Sequence, residues 1–193
     1  GFPGKNTTSV LGRPLMSYPL LAAGAAKRVE KIYVSTDSAN IKKVALEHGA
    51  SIIERPPELA TKDALGEDAY VHGYRYICDQ LCSTPELFVL LFCNAPTVLG
   101  QTIDEGIRIL LEDPSLDSAV TVSAYNMWSP IRARKEGADG LLYPFVPFEA
   151  FGELKAINCD RDSQGDVFFA DMSVSIIRPR CLDNLNYGVL PQR

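Results

Sequence analysis

Two cationic side chains sit in surroundings that suit an anionic ligand. Lys5 lies in the loop 1–6, whose glycines let the backbone approach phosphate groups while the lysine supplies a point charge. Arg55 is followed by two prolines, and this rigid pair would hold its guanidinium in place for a phosphate or a base carbonyl. Both residues are therefore candidate anion ligands. For Lys5 the alternative is an exposed lysine in a surface loop.

A pair of carboxylates, Asp160 and Asp162, has a spacing that can chelate Mg²⁺ through two hard oxygen ligands. The pair lies in the least regular stretch of the chain, 147–164, among residues typical of loops. The residues themselves therefore leave the metal ligands unassigned. They also identify no general base.

The candidate ligands depend on one predicted strand-helix-strand unit, residues 31–63. An apolar strand ends in the polar residues 35–37, and a helix capped by Asp37 or Ser38 follows. A second strand, 51–54, leads directly into Arg55. A unit of this length implies parallel strands joined by a right-handed crossover. Because ligands bind beyond the carboxyl ends of parallel strands, Arg55 is predicted to lie at the ligand edge.

Three further elements complete the predicted α/β domain. The continuous apolar run 87–93 predicts a strand covered on both faces, with Asn94 at its carboxyl end. Alternating apolar and polar residues predict another strand over 118–125. A helix start is predicted at 11–15, where a proline suits the first turn, although Pro19 indicates a later start or a kink. Another start is predicted at Thr102, which forms a capping box with Glu105.

The composition limits the class of protein. A chain of 193 residues with 46% hydrophobic and 22% charged residues fits a single globular domain, 1–193. It contains no apolar run long enough to span a membrane, and its net charge of -5 disfavours non-specific nucleic-acid binding. The five cysteines form no Cys-x-x-Cys pair, which is typical of reduced thiols and predicts a cytoplasmic protein.

A second functional surface is predicted in the segment 126–170. A glycine-bounded turn at 137–140 indicates a β-ribbon that leaves the main sheet. The surrounding residues are irregular and proline-rich, and they contain five aromatics: Trp128, Tyr143, Phe145, Phe148 and Phe151. Clusters of this kind usually mark a partner surface, so we expect a homodimer. The alternative is a ribbon folded over its own sheet.

Three segments in this order carry a family resemblance: GFPGKN followed by LGRPL, then VSTDS, then RPPELATKD. Together they resemble the cytidylyltransferases that activate acidic sugars, most of all the acylneuraminate (CMP-sialic acid synthetase) group. The resemblance covers most of residues 1–179 and is strong up to about Asp63. It implies a mostly parallel, Rossmann-like nucleotidyltransferase sheet with a protruding dimerisation ribbon.

The resemblance also implies an activity and a set of ligands. CMP would pass from CTP to a 2-keto-3-deoxy sugar acid with release of pyrophosphate, with Mg²⁺ as cofactor. Lys5 and Arg55 would act in catalysis. The implied nucleotide-binding residues are Gly4, Lys5, Asn6, Arg55, Gly66 and Asn94, and the implied sugar-binding residues are Arg132, Arg161 and Asp171.

The chain departs from the family pattern in two ways. Polar sugar-reading positions are replaced by Phe92, Val98 and Phe169, which predicts an acceptor other than N-acetylneuraminate. In the family, an Ala-Arg-x-x-Ser-Lys segment and a strand precede the loop 1–6, and an Asp-x-Asp pair follows the last strand. We therefore expect this chain to lack the first strand and the C-terminal end of the family's domain. Two alternatives remain: a nucleotidyltransferase with another acceptor, or a nucleotide-binding or regulatory subunit without catalysis.

Overall fold

The computed structural model describes residues 2–125, 128–152, 158, 160, 163 and 165–183. The chain divides into two units. Unit 1 comprises Gly1–Thr121 and Met172–Arg193, and unit 2 comprises Val122–Asp171. Strands β6 (Ser118–Ala124) and β9 (Phe168–Ile177) contribute residues to both units. Each unit is described by itself.

Unit 1 begins with a small hairpin where the sequence predicted a helix start. Strands β1 (Ser9–Val10) and β2 (Arg13–Pro14) pair antiparallel across a two-residue turn. Leu11 and Gly12 in that turn have φ values of 48° and 84°, as in the type I′ turns that match the twist of a hairpin. The prediction of a helix from 11–15 is therefore wrong. Helix α1 is Ser17–Ala25.

The predicted strand-helix-strand unit is confirmed. Strands β3 (Tyr33–Thr36) and β4 (Ser51–Glu54) flank helix α2 (Ala39–Glu47) and pair in parallel. Gly49 follows the helix with φ of 75°, a conformation that suits glycine at a helix C-terminus. Ser38 occupies the N-cap position, and within the described residues its side chain makes no capping hydrogen bond. Instead, its backbone amide donates to Thr36 Oγ1 at 3.1 Å.

A second sheet in unit 1 has the order β5-β9-β6. Strand β5 is Phe88–Leu91, as the apolar run predicted, and it pairs antiparallel with β9. Thr121 supports the pairing of β6 with β9, since its Oγ1 accepts a hydrogen bond from the Val174 amide at 3.1 Å. The α/β prediction is confirmed, and the described pairings of unit 1 include a parallel one, β3 with β4, and an antiparallel one, β5 with β9.

Three helices pack against these strands: α3 (Gly66–Leu81), α4 (Gly100–Glu112) and α5 (Pro179–Asp183). One core cluster joins α1 and α4 to β9 through residues such as Ala22, Ile103 and Ile176. A second joins α1, α2 and β3 around Met16, Val34 and Ala45. A third joins α3 and α5 to β5 and β9 around Phe88, Ile177 and Leu182. None of the helices in the described part of the chain has the length and hydrophobicity needed to cross a membrane.

Unit 2 contains a β-ribbon. Strands β7 (Arg134–Glu136) and β8 (Leu142–Pro144) pair antiparallel across a turn in which Gly140 has φ of 75°. The Tyr143 hydroxyl donates to Asp139 Oδ2 at 2.6 Å and ties β8 to that turn. Trp128 packs edge-to-face on Tyr125, with ring centroids 5.6 Å apart. The predicted ribbon is thus present, whereas its role in a dimer stays a prediction.

Candidate nucleotide site

The loop that carries Lys5 is held by its own backbone. Gly4 adopts φ of 72° and precedes a short 3₁₀ helix, Lys5–Thr7. The Gly4 carbonyl accepts hydrogen bonds from the Thr7 amide at 3.0 Å and from the hydroxyls of Thr7 and Thr8 at 3.2 Å each. A Cβ at Gly4 would meet no described atom within 4 Å, so the backbone conformation, not crowding, requires glycine here.

Asn6 follows Lys5 and anchors this loop to helix α1. Its carbonyl accepts a hydrogen bond from the Met16 amide at 2.9 Å. Its side-chain Oδ1 is buried and has no hydrogen-bond partner among the described residues. A buried acceptor without a partner costs free energy, so this oxygen is suited to accept a hydrogen bond from a group outside the described residues.

Arg55 lies immediately after β4, and its side chain folds back onto β3. Nη2 donates to the Ser35 carbonyl at 2.7 Å, and Nε donates to the Ser35 hydroxyl at 3.2 Å. The Arg55 amide donates to the Thr36 carbonyl at 3.3 Å, which extends the parallel ladder by one residue. The guanidinium is half-buried and directed by two oxygens of one residue.

The charges of Lys5 and Arg55 both affect the pKa of the Cys93 thiol. Burial raises the pKa of Cys93, and the positive charges of Arg55 and Lys5 act in the opposite direction. Cys93 comes two residues after the end of β5. The Arg55 guanidinium also affects Tyr70. Burial and the negative charge of Glu67 raise the pKa of Tyr70, and the positive charge of Arg55 acts to lower it. The two predicted cations thus act on one group, the thiol of Cys93, near the carboxyl end of β5.

A cavity of about 440 Å³ in unit 1 is lined by residues of β3 and β5. Its walls are mainly apolar, with α1 contributing Pro19 and Leu20 and α3 contributing Ala69 and Ile77. The polar groups Ser35, Arg55, Tyr70 and Cys93 also line it. Arg55 therefore lines this cavity together with Ser35.

The other predicted nucleotide ligands lie outside the lining of that cavity. Asn94 is exposed, directly after Cys93. Gly66 is exposed at the first position of α3, and a Cβ there would meet no described atom within 4 Å. Arg55 and Cys93 line the same cavity, and Lys5 acts on the Cys93 thiol only through its charge. Gly66 lies at the start of the helix that carries Tyr70.

The predicted sugar ligands fall in unit 2. Arg132 is exposed and ends a 3₁₀ helix, Pro130–Arg132. Asp171 is exposed, and its Oδ2 accepts a hydrogen bond from the Ser123 hydroxyl at 3.1 Å. Arg161 lies outside the described residues. Thus the predicted nucleotide side and the predicted sugar side belong to different units.

Comparison with known proteins finds a family likeness in the N-terminal region. A family model described as Cytidylyltransferase matches residues 1–69, the part that contains both Lys5 and Arg55. This region is cytidylyltransferase-like. The family match thus covers the loop 1–6, β3, α2, β4 and the arginine that follows β4.

Two relatives extend this likeness. The chain is 29% identical over 131 residues to an N-acylneuraminate cytidylyltransferase of Escherichia coli O18:K1:H7, covering 68% of this chain and 30% of the relative. It is 46% identical over 50 residues to a CMP-N,N'-diacetyllegionaminic acid synthase of Legionella pneumophila, covering 26% of this chain and 22% of the relative. The chain thus spans less than a third of the length of these two relatives.

A solved structure shows the same fold. The structure of a CMP:2-keto-3-deoxy-manno-octonic acid synthetase complexed with CTP superposes with a TM-score of 0.63 at 16% identity. The match covers 95% of this chain and 70% of that one. At this identity the likeness concerns the fold alone. It supports the α/β architecture of this chain.

Mg²⁺ is held in proteins by oxygen ligands, above all carboxylates. Over the ranges that the structure describes, no group of three His, Cys, Asp or Glu side chains could hold a metal ion. Asp160 is exposed in unit 2, and Asp162 lies outside the described residues. The described residues therefore do not bring together a cluster that fits Mg²⁺.

Sequence reasoning missed two residues of the site. The sequence pattern places Ser35 only at the polar end of a strand and predicts Cys93 only as a reduced thiol. The signal for Ser35 was its place at the carboxyl end of β3, one strand away from Arg55. The signal for Cys93 was its position directly before Asn94 at the predicted ligand edge.

Proposed function

We infer that the protein transfers CMP from CTP to an acidic sugar and releases pyrophosphate. The observation that carries this proposal is the placement of Arg55, which two hydrogen bonds to Ser35 hold beside the cavity of unit 1, together with Lys5 in the loop shaped by Gly4. The family match over residues 1–69, which contains both cations, supports the nucleotide as CTP. The acidic sugar is supported by the names of the two relatives, both of which act on sugar acids.

In the proposed reaction the anomeric hydroxyl of the sugar attacks the α-phosphorus of CTP. A new oxygen–phosphorus bond forms, the bond to the β-phosphate oxygen breaks, and pyrophosphate carries away the electron pair. The hydroxyl proton leaves to solvent, because no described residue is assigned as a general base. Lys5 supplies a point charge to the phosphates, and Arg55 supplies fixed donors to a phosphate or to the base carbonyl.

We place the acceptor among the 2-keto-3-deoxy sugar acids other than N-acetylneuraminate. Phe92 and Phe169 keep 38% and 39% of their surface exposed, so neither side chain is buried in the core. Their exposure supports a change in the acceptor site. Val98, in contrast, is buried in the core cluster of α1 and α4. Arg132 and Arg161 would hold the carboxylate, and the Asp171 carboxylate would favour an amino-substituted acceptor.

Three further features belong to this proposal. Mg²⁺ is expected from the family resemblance, a homodimer from the aromatic residues of unit 2, and a cytoplasmic location from the unpaired pattern of cysteines. Each has its own measurement. Activity with and without EDTA tests the first, molar mass in solution the second, and fractionation of the source cell the third.

Titration calorimetry with CTP, UTP, ATP and GTP tests the nucleotide, and pyrophosphate release with a panel of sugar acids tests the reaction. We expect CTP to bind best and at least one 2-keto-3-deoxy sugar acid to release pyrophosphate. Binding of CTP without release for any acceptor would favour the nucleotide-binding subunit. Preference for another nucleotide would overturn the proposal, and a wide preference for N-acetylneuraminate would overturn the acceptor assignment.

A further inference from the structure

We propose that Ser35 is the positioning residue for Arg55, aiming its guanidinium at the nucleotide. This inference rests on the proposed function, in which Arg55 contacts CTP. Ser35 and Arg55 are 20 positions apart in the chain, and the parallel register places Ser35 opposite Ile53, two residues before Arg55.

The direction of the Ser35 carbonyl explains why this residue can reach the arginine. Ile32 and Thr36 direct their carbonyls towards β4, where they accept from the amides of Ser51 and Arg55. Successive carbonyls along a strand alternate between its two edges. The Ser35 carbonyl therefore points to the opposite edge of β3, the edge that borders the cavity. Arg55 wraps across the end of β3 to reach it.

The two hydrogen bonds restrain the guanidinium in different ways. The carbonyl holds Nη2 at 2.7 Å, and the hydroxyl holds Nε at 3.2 Å. Two contacts on one side of a planar group fix its orientation as well as its position. An arginine has five N–H donors, so two are used here and three remain for a ligand. Among the residues described, no carboxylate pairs with Arg55, so its charge is not neutralised there.

Removal of the Ser35 hydroxyl would leave the carbonyl contact in place. The guanidinium would then stay near the cavity but would rotate about the remaining hydrogen bond. Part of the CTP binding energy would be needed to restore its orientation. We expect a loss of affinity smaller than that caused by removing Arg55 itself.

Matched variants at position 35 separate the hydroxyl from the shape of the side chain. Ser35→Thr keeps a hydroxyl and Ser35→Val removes it at nearly the same volume, and both residues suit a strand. By calorimetry, we expect Ser35→Thr to bind CTP like the unmodified chain and Ser35→Val to bind about three- to tenfold more weakly. Ser51→Ala, an exposed serine of the neighbouring strand β4, is the control and should not change affinity.

A double-mutant cycle decides whether Ser35 acts through Arg55. In an Arg55→Ala background, Ser35→Val should cause no further loss of CTP affinity, because nothing is left to position. Unfolding midpoints of all variants are measured in parallel, and Ser35→Ala serves as the second hydroxyl-free variant where Ser35→Val does not fold.

The outcomes distinguish this inference from the proposed function. If Arg55→Ala weakens CTP binding while Ser35→Val does not, the positioning role is overturned and the proposed function stands. The positioning role is likewise overturned, and the proposed function stands, if Ser35→Val weakens CTP binding as much in the Arg55→Ala background as in the unmodified chain. If Arg55→Ala binds CTP normally, the assignment of Arg55 to the nucleotide fails and this inference fails with it.

Discussion

Asp104 accepts a hydrogen bond from the backbone amide of Lys27 at 2.9 Å, across 77 positions of the chain. Its second carboxylate oxygen accepts from the Arg28 amide at 3.0 Å. Asp104 lies near the start of α4, while Lys27 and Arg28 follow the end of α1. These two hydrogen bonds therefore attach the segment that leads from α1 into β3 to helix α4. Strand β3 is the strand that carries Ser35.

These hydrogen bonds predict a pH-dependent stability. The hydrogen bond from the Lys27 amide is the main cause of a lowered pKa for Asp104 in the folded protein, and the Arg28 amide adds to it. Because the folded form binds this proton more weakly than the unfolded form, the contribution is complete above the unfolded pKa of about 4 and is lost as pH falls from there through the lowered pKa of the folded form. We expect Asp104→Asn to lower the unfolding midpoint at pH 7 and to have a smaller effect at pH 3. Glu30→Gln, at an exposed carboxylate nearby, is the control, and an equal loss at both pH values would contradict the prediction.

Two helix glycines should respond in opposite directions to alanine. A Cβ at Gly73 in α3 would meet only Ile53 Cδ1, at 3.9 Å, which is ordinary contact. Gly73→Ala should therefore stabilise the protein by about 0.5–1 kcal/mol through helix propensity. A Cβ at Gly100 would lie 2.9 Å from the Ala22 carbonyl oxygen and 3.0 Å from backbone atoms of α1 and its C-cap. Gly100→Ala should destabilise by about 1–3 kcal/mol. Denaturant unfolding of both variants measures the two changes, and two changes of the same sign would refute this account.

The two predicted cations should each matter for CTP binding. A charge-assisted contact is worth about 1.5–3 kcal/mol, which corresponds to roughly ten- to a hundredfold in affinity. We expect losses of this size for Lys5→Ala and Arg55→Ala in calorimetric titrations at constant salt. Lys43→Ala and Arg75→Ala change exposed cations on α2 and α3 and should leave the affinity unchanged. Equal effects of all four variants would indicate a non-specific charge effect instead.

The exposed apolar residues of unit 2 predict self-association. Trp128, Leu142 and Phe145 keep 68%, 69% and 62% of their surface exposed, an uncommon amount for three large side chains in one small unit. Light scattering at micromolar concentration should give twice the 21.1 kDa of one chain. Phe145→Glu should shift the mass to that of a monomer, because a buried unpaired charge is costly at an interface. Leu46→Glu, at an exposed leucine of α2, is the control. A monomeric mass for the unmodified chain would reject the dimer.

Local sequence patterns were sufficient wherever short-range physics determines the structure. The strand-helix-strand unit followed from an apolar strand, a helical repeat and Gly49, all of which act within a few residues. Two local predictions were wrong for local reasons. Leu11 adopts a positive φ beside Gly12, so a hairpin turn replaces the predicted helix start. Helix α4 begins at Gly100, and Glu105 binds Arg108 rather than capping the helix at Thr102.

The sequence by itself determined that Lys5 and Arg55 lie on loops next to predicted strands, because glycine, proline and strand patterns are properties of neighbouring residues. Only the tertiary structure decided that Ser35 holds Arg55 and that both residues line one cavity with Cys93. Strand pairing sets which carbonyl faces the cavity, and it joins residues far apart in the chain. No pattern of spacing carries that information, since register and strand direction arise only when the sheets form.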